Sequence, residues 1–207
     1  KADIDMVSEY VGFNKLVISE NKLKKEHSKF SLNLSSLVKG YCVDQIVDVL
    51  AEIGVDKYMV EIGGEVRVGS PSDDFSWNIG ILNPQYLKID NDLLLTVNLK
   101  NNSIATSGDY KNYFEKNNHV YSHIFDPRLG RPISNNIASV TVIAPNCMLA
   151  DGLATALSVI GLNRGLSIIE SYSDVECLFV VRDEKNKFKF FSSSGFSKFV
   201  SSSEIKI

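Results

Sequence analysis

The sequence lacks several patterns that commonly reveal a function. It holds three cysteines but no Cys-x-x-Cys pair, which argues against a zinc site built from thiolates. It also lacks the Walker A loop of P-loop proteins, the His-Glu-x-x-His pair of zinc proteases and the Gly-x-Ser-x-Gly elbow of serine hydrolases. No apolar run reaches the about 18 residues of a membrane-spanning helix. The function must therefore be sought in less familiar patterns.

Excess basic charge is also missing. The 22 Lys and Arg residues are outweighed by 25 Asp and Glu, and the net charge is −3. The short basic run at Lys22–Lys25 is predicted to be the tip of a hairpin rather than a binding patch. Nucleic acid is therefore not expected as the main partner.

The cysteines and the first residue bear on the compartment. Cys42, Cys147 and Cys177 each lie in apolar surroundings, which favours buried thiols, although one disulfide stays possible. The chain begins with Lys1 rather than Met. We expect a fragment or a processed product, so the lack of a targeting segment says little about location.

The alternation of apolar and polar residues predicts a mixture of strands and helices. Helical spacing is found at 40–53, 147–161 and 163–172. Strands are predicted at 15–20 and 29–36, on both sides of Gly63 and Gly64, and in most later segments, including a hairpin through the Asn101-Asn102 turn. Because neighbouring strands are joined by short turns, the predicted fold class is α+β with largely antiparallel sheets.

The helix "MLADGLATAL" carries polar residues inside an apolar pattern. Asp151 and Thr155 are four residues apart, so both side chains lie on one face of a helix. One interpretation is a helix beginning near Pro145 and Asn146, with Asp151 in the first turn, where negative charge is favoured. The other is a hard cation held by two oxygen ligands. The ten residues alone favour the first interpretation.

Two further segments could bind a ligand. "NLSSLVKGY" places Asn33, small residues and Lys39 where a strand is predicted to give way to a helix, an arrangement that suits phosphate. The alternative is a helix capped by Ser35 or Ser36, with Lys39 in solvent. "VEIGGEVRVGS" predicts a Gly-Gly turn, which by itself favours a plain hairpin, although Glu61 and Glu65 could face a site.

The last two segments are "ATSGDY" and "YSHIFDPRLGRP". The first is predicted to form a tight turn that could line a pocket, although Asp109 could simply cap a helix. The second holds His123, one of three histidines, followed by Asp126 and Arg128. A single His is more often structural than catalytic, yet these neighbours allow a general base beside a charge clamp.

The order of these segments is more specific than any one of them. "LNLSSLVKGYCVD", "EIGGEVRVG", "WNIGILNP", "IATSGDY", "SHIFDPRLGRP" and "SVTVIAPNCMLADGLATALSVIG" occur in this order along the chain. Together they resemble the ApbE family of flavin transferases, formerly called thiamine-biosynthesis lipoproteins. The resemblance covers residues 10–195 and identifies residues 1–207 as the C-terminal portion of that family's α+β domain.

The resemblance implies a reaction, a cofactor and a partner. Members of the family bind FAD and a divalent cation, usually Mg²⁺, and transfer FMN to a Thr or Ser hydroxyl of an acceptor protein, releasing AMP. Acceptors include subunits of the sodium-pumping NADH:quinone reductase and of related membrane electron-transport complexes. Many members are lipid-anchored on the periplasmic side of a bacterial inner membrane.

The resemblance also implies roles for individual residues. Metal ligands are expected from the side chains of Asp151 and Thr155 and from the backbone carbonyl of Ser36. FAD contacts are expected from three residues, namely Asn33, Lys39 and Ile124. His123 resembles the residue proposed to deprotonate the acceptor hydroxyl.

Some positions depart from the family pattern. Asn33 stands where Asp is common, and Ser35-Ser36 stands where many relatives have Gly-Gly. The N-terminal part of the family fold, which contributes FAD contacts, is expected to be missing. Two alternatives stay open: an FAD pyrophosphatase that yields FMN and AMP, and a flavin-binding protein without turnover.

Overall fold

The structure is a computed structural model, and it describes residues 9–84, 93–108, 113–116, 119–122, 124–133, 135–185 and 187–203. Three α-helices are found in these ranges, α1 (Ser35–Glu52), α2 (Cys147–Ile160) and α3 (Leu162–Ile169). The strands are β1 (Leu16–Ser19), β2 (Lys22–Lys25), β3 (Tyr58–Ile62), β4 (Glu65–Gly69), β5 (Trp77–Leu82), β6 (Leu93–Leu99), β7 (Ser103–Gly108), β8 (Tyr113–Lys116), β9 (His119–Ser122), β10 (Phe125–Asp126), β11 (Arg131–Pro132), β12 (Ile137–Ala144), β13 (Glu176–Arg182), β14 (Phe188–Ser192) and β15 (Val200–Ser203).

The strands assemble into two main sheets. A six-stranded sheet has the order β14-β13-β12-β7-β4-β3, and a three-stranded sheet has the order β15-β6-β5. All of these pairings are antiparallel. The remaining described strands form the two-stranded pairs β1-β2, β8-β9 and β10-β11. The predicted α+β class with antiparallel sheets is therefore confirmed.

The six-stranded sheet lies between two apolar layers. One of its faces packs on the three-stranded sheet through residues such as Leu99 and Leu178. The other packs on α2 and α3 through residues such as Leu157 and Phe179. All eight residues of β12 are buried, because this strand is covered on both faces and paired on both edges. The helical layer brings α1 and α2 together at one end of β7 and β4, where the candidate site lies.

Three local predictions were wrong. The segment 29–36 is not a strand: α1 begins at Ser35, and Leu32 and Leu34 are exposed with no described strand beside them to pair with. Lys22–Lys25 is not a hairpin tip but strand β2 itself, with the turn at residues 20 and 21. Cys42 is exposed, whereas Cys147 and Cys177 are buried thiols as predicted.

The prediction for residues 93–108 needs a different correction. Both strands, β6 and β7, are present, but they do not pair with each other. β6 belongs to the three-stranded sheet and β7 to the six-stranded sheet, so the chain changes layer at residues 100–102. A hairpin and a layer change require similar turn residues, and only the packing of the apolar faces distinguishes them. No helix among the described residues combines the length and apolar character needed to cross a membrane.

Candidate functional site

Helices α1 and α2 touch at Gly40. A Cβ atom at this position would lie 2.4 Å from the carbonyl oxygen of Cys147 and 2.7 Å from the Cα of Met148. Both neighbours are backbone atoms, so only a residue without a side chain allows this approach. The close contact places the second turn of α1 against the first turn of α2.

The N-terminus of α2 is held from the same direction. The Asp44 carboxylate, on α1, accepts hydrogen bonds from the N–H groups of Cys147 and Met148, each at 2.9 Å. Its charge is paired with Arg67 Nη1 on β4 at 2.7 Å. Asn146 caps the helix by accepting from the N–H of Leu149. Asp44 therefore connects α1 to α2 through N–H groups that a helix start leaves unpaired, and to β4 through its ion pair with Arg67.

Asp151 does not lie in the first turn of α2. The helix begins at Cys147, its first turn holds no acidic residue, and its start is already capped by Asn146. The Asp151 side chain is buried, and its Oδ2 accepts a hydrogen bond from the N–H of Gly40 at 3.0 Å. Burial raises the pKa of this carboxyl, while the Gly40 N–H and the charge of Lys39 lower it. The interpretation of Asp151 as a simple first-turn carboxylate is wrong.

Thr155 follows one turn later on the same helix face. Its hydroxyl lies 3.0 Å from that of Ser107 on β7. Ser107 belongs to segment 105–110, whose described residues lie in strand β7 and not in the predicted tight turn. The segment does line a pocket, because Thr106, Ser107 and Gly108 line the same cavity. Two other residues of that segment, Asp109 and Tyr110, lie outside the described residues.

Lys39 forms an ion pair that reaches across to the Gly-Gly turn. Its Nζ lies 2.5 Å from Glu65 Oε1, at the first residue of β4. Lys39 is half exposed, whereas Glu65 is almost fully buried. Burial raises the pKa of the Glu65 carboxyl; Lys39 lowers it, and the negative charge of Asp151 raises it further. Lys39 is thus held by a specific partner and is not simply solvated.

The start of α1 differs from the predicted cap. Neither Ser35 nor Ser36 is the capping residue: Leu34 precedes the helix and makes no side-chain cap. Asn33 takes part instead, because its Oδ1 accepts a hydrogen bond from the N–H of Ser35 at 3.0 Å. The amide of Asn33 therefore lies beside the first turn of α1.

A single cavity of about 770 Å³ collects these groups. The residues predicted from the sequence that line it are Asn33, Ser36, Lys39, Ile124, Asp151 and Thr155. A second and more apolar cavity of about 700 Å³ shares Asn33 and Pro127 with the first. His123, the predicted catalytic residue, lies outside the described residues.

Two residues of the site were not assigned a role from the sequence. Asp44 joins α1 to α2, and its position on the polar face of a helix gave no sign of this. Glu65 was noted only as able to face a site. Its signal was a carboxylate that opens a strand and is followed by the apolar residues Val66 and Val68. A charged residue in such a strand is uncommon without a partner.

Comparison with known proteins places this arrangement in a family. The model of the ApbE family matches residues 1–179. An FAD:protein FMN transferase of Vibrio cholerae serotype O1 is 42% identical over 192 residues, which cover 92% of this chain and 56% of that protein. One from Haemophilus influenzae is 37% identical over 200 residues, which cover 94% of this chain and 57% of that protein.

Solved structures show the same fold. The flavin transferase ApbE from Vibrio cholerae superimposes with a TM-score of 0.83 at 36% identity, over 96% of this chain and 62% of that one. The apo flavinyl transferase ApbE from Pseudomonas stutzeri gives 0.81 at 35% identity, over 97% and 61%. This chain therefore spans a little over half the length of the curated relatives it matches.

Proposed function

The chain belongs to the ApbE family, and on that premise we propose that it binds FAD and Mg²⁺ in the 770 Å³ cavity and transfers FMN to a protein hydroxyl. One observation carries the proposal. Elements far apart in the sequence bring an oxygen donor set from α2 and a cationic side chain from α1 to the same cavity. A dinucleotide with a pyrophosphate needs both kinds of group within a few ångströms.

The residues present fit a hard divalent cation. The proposed ligands are the Asp151 carboxylate, the Thr155 hydroxyl and the Ser36 carbonyl, and hard cations prefer such oxygen-only sets. In the described part of the chain no group of three or more His, Cys, Asp or Glu side chains could hold a metal ion. Of the described residues, the proposed ligand set offers the cation one carboxylate and two neutral oxygens, which leaves further positions for phosphate and water.

The geometry around Ser36 supports its proposed role. In a regular helix the N–H of Gly40 donates to the carbonyl four residues earlier, which is that of Ser36. Here the same N–H lies 3.0 Å from Asp151 Oδ2. If the Gly40 N–H donates wholly or partly to Asp151, the Ser36 carbonyl oxygen keeps a lone pair that can bind a cation.

We assign the flavin nucleotide to the remaining lining residues. Lys39 supplies the ammonium for the pyrophosphate, and the amide of Asn33 supplies polar contacts. Ile124 is buried and apolar, as a contact for a flavin ring would be. The adjoining 700 Å³ cavity, which shares Asn33, gives additional room for a ligand as long as FAD.

The proposed reaction is a phosphoryl-group substitution. An imidazole nitrogen of His123 takes the proton of the acceptor hydroxyl, and that oxygen forms a bond to the FMN phosphorus while the bond to the AMP oxygen breaks. The cation, when bound, neutralises pyrophosphate charge and stabilises the charge that develops on the leaving AMP. The role of His123 rests on the family resemblance.

The acceptor and the location are further parts of the proposal. We propose a Thr- or Ser-bearing subunit of a membrane electron-transport complex, of the sodium-pumping NADH:quinone reductase type, as the acceptor. We propose the periplasmic side of a bacterial inner membrane as the location, with a lipid anchor on the native protein holding it there. Both statements are supported by the resemblance to the family.

Mass spectrometry of an acceptor domain tests the function directly. The protein, FAD, MgCl₂ and a Thr-containing acceptor domain should yield an adduct of one FMN, and EDTA should abolish it. Asp151→Asn keeps an oxygen for the Gly40 N–H but removes the charge, so the rate should fall at least about 100-fold. Asp48→Asn, at an exposed position of α1, is the matched control and should keep the wild-type rate.

The other outcomes separate the alternatives. Release of FMN and AMP without an adduct would identify an FAD pyrophosphatase, because water would have replaced the acceptor hydroxyl. Bound FAD with neither product would identify a flavin-binding protein. Undiminished Mg²⁺-dependent transfer by Asp151→Asn would refute the assignment of the metal ligands.

A further inference from the structure

Glu65 is a buried carboxylate at the cavity with one oxygen unused. Its exposure is 2%, and Oε1 is paired with Lys39. Oε2 is buried, and among the described residues it has no hydrogen-bond partner. A charged oxygen in that position costs free energy unless something compensates it, so its retention calls for a reason other than stability.

The Gly-Gly turn holds Glu65 against the Lys39 side chain. Gly63 has a φ of +63°, and a Cβ there would lie 3.3 Å from Lys39 Cδ and 3.6 Å from Glu65 Oε2. The turn backbone therefore covers the ion pair on one side.

The charges that line the cavity do not favour an anion. Among the described lining residues, Lys39 contributes one positive charge, and Glu65 and Asp151 contribute two negative charges. The lining is therefore at −1 when all three are ionised. FAD brings a pyrophosphate with two negative charges, and a lining of the same sign repels it. One divalent cation reverses the sign of the lining.

We propose that Glu65 makes FAD binding conditional on the divalent cation by neutralising Lys39, the cationic side chain that would otherwise attract the pyrophosphate on its own. The inference rests on the proposed function, since it assumes that FAD and Mg²⁺ bind in this cavity. Glu65 is a positioning residue in this account: it contacts Lys39 and acts on the nucleotide through charge.

The physiological consequence is a safeguard against unproductive binding. Without Glu65, Lys39 would hold FAD in the absence of the metal, and the cavity would be occupied by a nucleotide that cannot react. With Glu65, cation and nucleotide bind together. Because linkage is reciprocal, FAD should strengthen Mg²⁺ binding by the same factor as Mg²⁺ strengthens FAD binding.

Binding measurements without turnover test the proposal. FAD is titrated into wild type and Glu65→Gln by calorimetry, in EDTA and in MgCl₂, with circular dichroism to confirm folding. We expect the wild type to bind FAD much more weakly in EDTA. In Glu65→Gln the ratio of the two Kd values should fall about tenfold or more, because a unit charge within several ångströms contributes at least that factor.

Two control variants isolate the charge. Glu61→Gln makes the same charge change at an exposed position of the same turn, and its side-chain oxygen can still accept from the N–H of Gly64. It should leave the ratio unchanged. Glu65→Asp keeps the negative charge at the site and should keep most of the cation dependence, even if the shorter side chain weakens the contact with Lys39.

Each contrary result has a distinct meaning. Equal FAD affinity of the wild type in EDTA and MgCl₂ would overturn the inference while leaving FAD binding intact. The same would follow if Glu65→Asp lost the dependence as fully as Glu65→Gln, or if Glu61→Gln changed it equally. No FAD binding by the wild type in either condition would instead overturn the proposed function on which the inference rests.

Discussion

Replacing Gly40 by Ala tests whether the contact between α1 and α2 positions the site. In an unobstructed helix interior this change would stabilise the protein by about 1 kcal/mol, because Ala is the better helix former. At Gly40, however, the new Cβ would lie 2.4 Å from the Cys147 carbonyl oxygen. Restoring an ordinary contact of about 3.5 Å requires the helices to separate by roughly 1 Å.

The two effects have opposite signs, and the clash should be larger. Overpacking against side chains already costs about 1–3 kcal/mol, and backbone atoms yield less readily than side chains. After subtracting the propensity gain, we expect Gly40→Ala to lose about 2 kcal/mol of unfolding free energy. The same separation lengthens the bond between the Gly40 N–H and Asp151. FAD affinity in MgCl₂ should therefore fall by about tenfold or more.

Urea unfolding followed by circular dichroism, together with FAD titration, measures both effects. Gly152→Ala on α2 is the matched control, because its Cβ would meet the terminal Cδ2 of Leu37 at 2.5 Å, and a side-chain end can move aside. The unfolding free energy of this variant should lie within about 1 kcal/mol of the wild-type value. A Gly40→Ala protein with wild-type stability and FAD affinity would refute the argument that this helix contact positions Asp151.

Two further predictions concern thiols and pH. Burial raises the pKa of Cys147 and Cys177 to about 12, whereas Cys42 is exposed. A thiol reagent such as DTNB should therefore label one cysteine in the native protein and three after unfolding. Fast labelling of a second thiol in the native protein would contradict the structure. The paired Arg128 guanidinium lowers the pKa of Asp126 from 3.8 to about 2. The stability that this pair contributes is present above pH 3.8 and is lost as the pH falls towards 2. The difference in melting temperature between wild type and Asp126→Asn should accordingly be largest near neutral pH and shrink across that range; a difference independent of pH would rule out the ion pair as its origin.

Many of the helices and strands could be predicted from the sequence because they depend on local residue patterns. The segment 138–145, rich in β-branched residues, and the helical spacing at 147–161 and 163–172 predicted β12, α2 and α3 to within three residues of their observed ends. The prediction for the segment before α1 was wrong because its alternation of apolar and polar residues is typical of a strand, yet among the described strands none lies beside it to pair with it. Whether residues 93–108 form a hairpin or connect two sheets depends on which layer buries each apolar face, and that information is not local.

The sequence by itself determined which chemical groups are available to the site. The spacing of Asp151 and Thr155 set two oxygens on one helix face, and the order of the motifs indicated the family. The tertiary structure decided what those groups meet. It showed that α2 begins at Cys147, so that Asp151 lies beyond the first turn, and it paired Lys39 with Glu65. The contacts of Lys39 with Glu65 and of Gly40 with Asp151 join residues 26 and 111 positions apart, and only the packing of two helices on a sheet brings them within hydrogen-bond distance.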